Sequence, residues 1–292
     1  MGYSSYSTSN RKLRSTTDGY TTKGINEIFT QNVERKIHKL MDPSGISKRE
    51  CCDSDAHPFT IPVQLYLDVT GSMGMIPHEL IKEGLPKLIG SLIQNGLKDI
   101  ALLFGAIGDH ECDNYPLQIA QFESGDAELD MWLTRTYLEG GGGGNVGESY
   151  LLAWYFASNH IKIDSFDKRK QKGFIFTVGD EPCLNHLPMS AVKEIMGDTA
   201  VGQATYSKEE LLAAAQIQNN VYHIHINHSG CRYDKCIDSW KQLLGQNLIV
   251  IDDYHSLSKV ISDIIISHSI VDSDVTNTTS NLNNNPQQTI IL

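Results

Sequence analysis

The sequence lacks any apolar run long enough to cross a membrane. A spanning helix needs roughly 20 consecutive, mostly apolar residues, whereas the apolar residues here, 40% of the 292, are spread over shorter runs. The first 24 residues are polar and contain no apolar core of a secretory signal. We therefore expect a chain that neither spans nor enters a membrane.

The sequence also has fewer basic residues than acidic ones. The chain has 24 Lys and Arg against 35 Asp and Glu, which gives a net charge of −11. Binding to nucleic acid or to an anionic membrane surface depends mainly on positive charge, so both classes of partner are disfavoured. The excess of acid instead suits cations or the basic surface of a protein.

Cysteines are few and unsuited to a disulfide framework. The six are scattered through the chain, and two of them, Cys51 and Cys52, are adjacent. Disulfide-stabilised proteins are typically short, secreted and dense in cysteine. We therefore expect reduced thiols and a cytoplasmic protein.

From residue 63 onward, short apolar runs alternate with amphipathic stretches. Apolar runs without polar alternation are typical of strands covered on both faces, and alternation with helices favours a mostly parallel sheet. The sequence therefore predicts an α/β fold, doubly wound and Rossmann-like, with helices flanking a central sheet. Strands are predicted at 63–68, 99–107, 116–122, 173–179, 220–226 and 247–251, and helices near 77–95, 126–138, 148–160, 188–197, 207–219, 234–244 and 255–268.

Composition divides the chain into three parts. Residues 1–58 are an N-terminal extension, in which residues 1 to about 23 are expected to be a mobile arm and 25–41 have helical spacing of apolar residues. Residues 59–269 form the α/β domain. Residues 270–292 are a flexible tail rich in Asn and Thr, and the last 17 residues are expected to have no structure of their own.

Oxygen-bearing side chains follow several of the predicted strands. In a doubly wound sheet the carboxyl ends of the strands share one edge, where ligands bind. Carboxylate and hydroxyl oxygens suit a hard divalent cation such as Mg²⁺ or Mn²⁺. The candidates are Asp68, Thr70 and Ser72 after the first strand, Asp109 after the second, Asp180 after "FTVG", and Asn145 and Glu148 after the glycine run 140–144.

The stretch "DVTGSMG", residues 68–74, resembles the metal-ion-dependent adhesion site (MIDAS) of von Willebrand factor A (vWA) domains, whose motif is Asp-x-Ser/Thr-x-Ser. The resemblance implies that Thr70 and Ser72 coordinate Mg²⁺ and that Asp68 orients a bound water or hydroxyl. Asp180 matches the family's later acid. Asn145 stands where the family has a metal-binding Thr, so Asp109 and Glu148 remain additional candidates for that ligand.

The same resemblance implies a non-enzymatic function. An acidic residue of a protein partner would complete the metal's coordination, and "DVTGSMG" is similar to that of bacterial or phage-type intracellular members. By analogy with them, the chain would be an adaptor or recruiting subunit, and an AAA+ ATPase is one expected partner. The alternative is a structural subunit of a larger, phage-like assembly.

Three other readings of these motifs remain open. "DVTGS" is slightly similar to the nucleophile motif of haloacid dehalogenase-type phosphotransferases, but the spaced second acid and the lysine of that chemistry are not evident. The glycine run lacks the Lys-Ser/Thr ending of a phosphate-binding loop. His223, His225, Cys231 and Cys236 could hold zinc, although their spacing fits no common zinc signature.

Overall fold

Two strands that are almost entirely apolar lie at the centre of the computed structural model, which describes residues 4–140, 147–227 and 235–282. Every residue of Ile100–Ile107 and all but the first residue of Ile61–Asp68 are buried. Such strands need cover on both faces. The chain supplies it with helices that follow the strands.

The regular elements alternate as the apolar pattern predicts. The strands are β1 Arg49–Cys51, β2 Ile61–Asp68, β3 Ile100–Ile107, β4 Leu117–Ile119, β5 Ile161–Ile163, β6 Gly173–Gly179, β7 His186–Pro188, β8 Thr205–Ser207, β9 Asn219–Ile226 and β10 Leu248–Ile251. The helices are α1 Thr8–Thr17, α2 Ile25–Ile28, α3 Gln31–Glu34, α4 Ile76–Glu79, α5 Leu85–Gln94, α6 Asp126–Thr134, α7 Leu151–Asn159, α8 Asp164–Arg169, α9 Met189–Met196, α10 Lys208–Gln218, α11 Cys236–Leu244 and α12 Leu257–Leu282.

The central sheet has six strands in the order β10-β9-β6-β2-β3-β4. All neighbouring pairs are parallel except β3 and the short edge strand β4, which are antiparallel. Counted along the chain, this is the 3-2-1-4-5-6 order of a doubly wound fold, and the order reverses between β2 and β6. The predicted fold class, α/β with a mostly parallel, Rossmann-like sheet, is therefore confirmed.

Side chains of β2 alternate between two apolar layers, as the two-residue period of a strand requires. Val63, Leu65 and Leu67 pack with α5 and α12 on one face. Tyr66 packs with α7 on the other face. Asp68 follows Tyr66 by two residues, so the strand period places it on the α7 side at the carboxyl end of the sheet.

The N-terminal segment differs from the expected mobile arm, because residues 8–17 form α1. This helix was hard to foresee, since its buried side chain is not apolar but the charged Arg11. Farther along, Tyr20, Phe29 and Met41 belong to the apolar layer on the α5 side.

The continuous helix predicted over 25–41 is wrong. The chain leaves the helical conformation at Phe29, which is fully buried, and again at Arg35, whose φ is 52°. Val33 and Leu40, two apolar residues of the apparent helical face, are 73% and 46% exposed. Burial of Phe29 therefore takes precedence over helical periodicity.

The last helix is longer than predicted, since its backbone continues to Leu282 into the segment assigned to a flexible tail. Within the described ranges, no helix is both long and apolar enough to span a membrane. Cys51, Cys52, Cys112 and Cys183 are free thiols.

Candidate functional site at the carboxyl edge of the sheet

Asp68 is the last residue of β2 and its side chain is completely buried. Its Oδ1 accepts two hydrogen bonds from Thr70, one from the backbone N at 2.8 Å and one from Oγ1 at 2.6 Å. Its Oδ2 accepts a third from the hydroxyl of Tyr150 at 3.1 Å. The carboxylate is therefore fixed by the loop that follows β2 and by the residue that precedes α7.

The Thr70 contact gives the motif its local geometry. A Thr two residues after an Asp can donate from both its backbone and its hydroxyl to the same carboxylate oxygen, as in an Asx turn. The Thr70 proton then points at Asp68, and its oxygen lone pairs face away from that carboxylate. The chain next forms a 3-10 turn over Gly71–Met73, which contains the backbone of Ser72.

Asp68 and Asp180 lie close enough for the charge of one to affect the pKa of the other. Burial, together with the negative charge of Asp180, raises the pKa of Asp68 to about 7, even though the Thr70 and Tyr150 hydrogen bonds lower it. Asp180 directly follows β6 and is 1% exposed. The two acids thus flank the point between β2 and β6 where the strand order reverses.

Glu148 joins the same cluster from the segment before α7. Burial, and after it the charges of Asp68, Asp113, Asp109 and Glu181, raise its pKa to about 10. Its Oε2 is buried and has no hydrogen-bond partner in the described part of the chain. Glu148 in this setting either holds a proton or needs a compensating positive charge.

Asp109 follows β3 and is 3% exposed. Its Oδ1 accepts from the backbone N of Glu111 at 2.9 Å, whereas its buried Oδ2 has no hydrogen-bond partner among the residues described. Asp113 caps the same loop by accepting from the Asp109 backbone N at 2.7 Å. The loop therefore presents one unsatisfied carboxylate oxygen, as does Glu148.

The donor set at this edge fits a hard cation. Two buried carboxylate oxygens without partners and two raised acid pKa values indicate a deficit of positive charge. Within the described ranges, no three His, Cys, Asp or Glu side chains converge closely enough to hold a metal. An ion here would therefore need hydroxyl oxygens, which Mg²⁺ accepts; Thr70 and Ser72 are the residues of the motif that carry them.

Two of the predicted ligands are not tested by this geometry. Asn145 lies outside the described residues, and the structure describes only the backbone of Ser72. Thr70, Asp68, Asp180, Asp109 and Glu148 all lie at the carboxyl edge, as predicted.

A cleft of about 250 Å³ opens beside the motif. It lies between the loop after β2 and the N-terminal segment around α2. Asn32 joins the two walls, because its Oδ1 accepts from the backbone N of Leu138 at 2.9 Å. The lining is mainly apolar and backbone, and it includes Ile25, Val69, Thr70, Gly71, Met73, Pro77 and Leu138.

Sequence reasoning missed two members of the site, Tyr150 and Asp113. In the sequence, Tyr150 looks like a core aromatic residue at the start of an apolar helix, and it is fully buried. Its hydroxyl, however, donates a hydrogen bond to Asp68. Asp113 reads as part of a polar loop. The available signal was the acid-rich "GDHECD" directly after a buried strand.

The histidines of β9 have structural surroundings. His223 stacks on Trp240 with ring centroids 3.6 Å apart, and its Nδ1 lies 2.9 Å from the Thr177 hydroxyl. Burial lowers the pKa of His223 well below its usual value. His225 Nδ1 lies 3.9 Å from Cys236 Sγ, while Cys231 lies outside the described residues. His223 is thus a neutral core residue.

The sequence matches no protein-family model, and no curated protein is detectably similar to it. Among solved structures, the pilus adhesin SpaC from Lactobacillus rhamnosus GG in its open conformation is similar at 10% identity and a TM-score of 0.48, over 76% of this chain and 31% of that one. The von Willebrand factor type A protein from Catenulispora acidiphila is similar at 13% identity and a TM-score of 0.37, over 70% of this chain and 42% of that one.

The vWF domain of the type V pili tip protein Mfa5 from Porphyromonas gingivalis gives 10% identity and a TM-score of 0.41, over 80% of this chain and 98% of that one. The present chain therefore spans less than a third of SpaC and nearly all of the Mfa5 domain. Sheet order and element order define the class of the protein as a doubly wound α/β domain, with acidic and hydroxyl side chains at its carboxyl edge.

Proposed function

We propose that this chain is a vWA-type, protein-binding domain that holds Mg²⁺ or Mn²⁺ at the carboxyl edge of its sheet. The observation that supports the proposal is the group of buried carboxylates around Asp68, in which Glu148 and Asp109 each have an oxygen without a partner among the described residues. In this proposal Thr70, Ser72 and Asp180 hold the ion, and Asp68 contributes by orienting a bound water or hydroxyl. Glu148, Asp109 and Asn145 are the candidates for the remaining protein ligand.

The bound ion supplies a positive charge that attracts an acidic side chain of a protein partner. The cleft beside Thr70 is large enough, at about 250 Å³, to receive a neighbouring apolar side chain of that partner. We therefore infer a partner segment in which an acid is adjacent to an apolar residue. An intracellular adaptor or recruiting subunit, working with an AAA+ ATPase, is the setting we propose.

Two contacts speak against catalysis at this edge. A nucleophilic Asp needs an accessible oxygen, but Asp68 is fully buried and both of its oxygens accept hydrogen bonds. Ser149 Oγ lies 2.7 Å from His110 Nδ1, yet Ser149 is also fully buried and accepts from the His110 backbone N at 2.9 Å. The contact between Ser149 and His110 therefore stabilises the loop after β3 and does not expose a nucleophile.

The metal is tested by thermal unfolding. Mg²⁺ at ten times its dissociation constant should raise the melting temperature of the parent protein by roughly 3–6 °C, because a ligand of the native state stabilises it by mass action. Asp68→Ala should abolish the shift. Asp68→Asn is the second variant, since it preserves the shape and keeps the folded state comparable.

Asp252→Asn is the matched control, because Asp252 also follows a parallel strand, β10, but is exposed and accepts from Asn227 Nδ2 at 2.7 Å. It should retain the full Mg²⁺ shift. An equal shift in Asp68→Asn, or none in the parent protein, contradicts the metal site. Capture of a partner in Mg²⁺ but not in EDTA, lost in Asp68→Asn, tests the adaptor role separately.

A further inference from the structure

A second cavity lies at the opposite edge of the sheet from the acidic site. It has a volume of about 190 Å³ and is bounded by the amino ends of β2, β6 and β9, by the segment after α8, and by α12. It is far from Asp68, because the eight residues of β2 separate the two edges by about 25 Å. Ile61 and Phe174 supply its apolar wall.

The charged side chains that line this cavity are cationic. Lys170 and Lys172 contribute to the lining, together with His268 and the amide of Asn220. Two acids of the α8 region pair with other cations: Asp164 Oδ2 lies 2.8 Å from Lys168 Nζ, and Asp53 pairs with Arg169. In a chain with a net charge of −11, this local excess of positive charge is unusual.

Ser165 gives a second, independent indication of a ligand. It lines the cavity and is 1% exposed, and its hydroxyl has no hydrogen-bond partner among the described residues. A buried hydroxyl without a partner costs stability. Removal of that hydroxyl would make the folded state more stable. The presence of the hydroxyl therefore suggests a hydrogen-bond partner that the described part of the chain does not supply.

The surrounding donors are held in place by contacts that leave them further capacity. Lys172 Nζ donates to the carbonyl of Gln216 at 2.6 Å, which uses one of its three protons. His268 Nε2 lies 2.6 Å from the Tyr222 hydroxyl, which fixes the ring. Lys170 Nζ lies 5.1 Å from the centre of the Phe166 ring.

We propose that this cavity binds a phosphate group, with the Ser165 hydroxyl and the ammonium groups of Lys170 and Lys172 as donors. A lysine acts on phosphate as a point charge, and hydroxyl and amide groups supply directed hydrogen bonds. The volume suits inorganic phosphate or the phosphate of a small monoester. The inference does not depend on the metal site.

The test is thermal unfolding with inorganic phosphate in the presence of EDTA, against chloride at the same ionic strength. Phosphate at ten times its dissociation constant should raise the melting temperature by roughly 3–6 °C. Glycerol phosphate, a small monoester, is tested in parallel. A larger shift in melting temperature with glycerol phosphate than with inorganic phosphate would indicate that the cavity prefers an ester to the free ion. Acetate at the same ionic strength should give no shift.

Two variants separate binding from folding. Ser165→Ala removes the hydroxyl that lacks a partner, and Lys170→Gly removes a cation from a position whose φ is 58°, where glycine is favoured. Both should fold with unchanged or higher stability in chloride, yet lose at least half of the phosphate shift. Lys193→Gln, on α9 away from the cavity, should keep the full shift.

No shift in the parent protein, or equal shifts in the parent protein, Ser165→Ala and Lys170→Gly, would overturn the proposal. An equal response to acetate would also overturn it, because it would indicate general anion screening. The EDTA in every sample ensures that a failure of the metal site leaves this result unaffected.

Discussion

At the scale of single residues, the carboxylate of Asp68 shows how a buried charge is accommodated. Burial and the charge of Asp180 raise its pKa to about 7, although three hydrogen bonds donated by Thr70 and Tyr150 lower it. These donors orient the group but use both of its oxygens. Asp68 is therefore better suited to position neighbouring groups than to react.

Gly179 is the residue that allows Tyr150 to approach Asp68. A Cβ at this position would lie 1.8 Å from the Tyr150 hydroxyl and 3.1 Å from the Asp68 Cβ. Gly179→Ala should therefore destabilise the protein by about 3 kcal/mol, as overpacking in a rigid core does. The free energy of unfolding in urea measures this loss.

The control is Gly90→Ala, because Gly90 lies in α5 with nothing within 4 Å of its would-be Cβ. It should stabilise the protein by about 0.5–1 kcal/mol through helix propensity. In a Tyr150→Phe background, Gly179→Ala should cost less, since the nearest remaining atom is the ring Cζ at 2.8 Å. An unchanged cost in that background would refute the assigned contact.

Much of the site at residue scale is predictable from the sequence, and the exceptions have a common cause. Asp68 and Thr70 are two residues apart, so their contact follows from local turn chemistry. Tyr150 is 82 residues from Asp68, and only the packing of α7 on β2 brings them together. Long-range contacts of this kind have no local signal.

At the scale of elements, α1 is held to the domain by ion pairs. Arg11 and Asp130 are 2% and 1% exposed, with Nε and Oδ1 2.7 Å apart. Arg14 Nε also lies 2.8 Å from Asp130 Oδ2. The Arg11 guanidinium lies over the Tyr20 ring, 5.0 Å from its centre. Helix α1 is therefore attached to α6 through ion pairs.

Loss of one partner of such a buried pair leaves an uncompensated charge, which costs roughly 3–5 kcal/mol. Arg14 remains beside Asp130, so Arg11→Met should cost about 2–3 kcal/mol, measured by urea unfolding. Lys12→Met, on the exposed face of the same helix, should change stability by less than about 0.5 kcal/mol.

The second substitution Asp130→Asn should recover part of the loss in Arg11→Met, because it removes the charge left without its first partner. A double variant that loses the full sum of the two single effects would contradict coupling across this pair.

These elements also explain where sequence-based prediction succeeds and fails. Strands β2, β3, β6 and β9 were predicted to within two residues, because strands covered on both faces are continuously apolar. Helix α1 was missed because it is attached by Arg11 rather than by an apolar stripe. The false helix over 25–41 followed exposed apolar residues, which periodicity cannot distinguish from buried ones.

At the scale of the whole molecule, charge is divided between the two ends of one parallel sheet. The carboxyl edge gathers Asp68, Asp180, Glu148 and Asp109, whereas the amino edge has the cavity with Lys170 and Lys172. Parallel strands make this division possible, because every strand begins at one edge and ends at the other. The two proposed sites are thus separated by the full length of the central strands.

The same architecture predicts a gradient of local stability. Strand β2 pairs with β3 over eight residues and with β6 over five, and β6 pairs with β9 over seven, so their amides open only with global unfolding. The three-residue pairs β1–β5 and β7–β8 have no such support. Native-state hydrogen exchange should be slowest in β2 and β6 and at least a hundredfold faster in β7 and β8. Equal exchange rates in β7 and β2 would contradict this division, because they would require a small peripheral pair to open as rarely as the centre of the sheet.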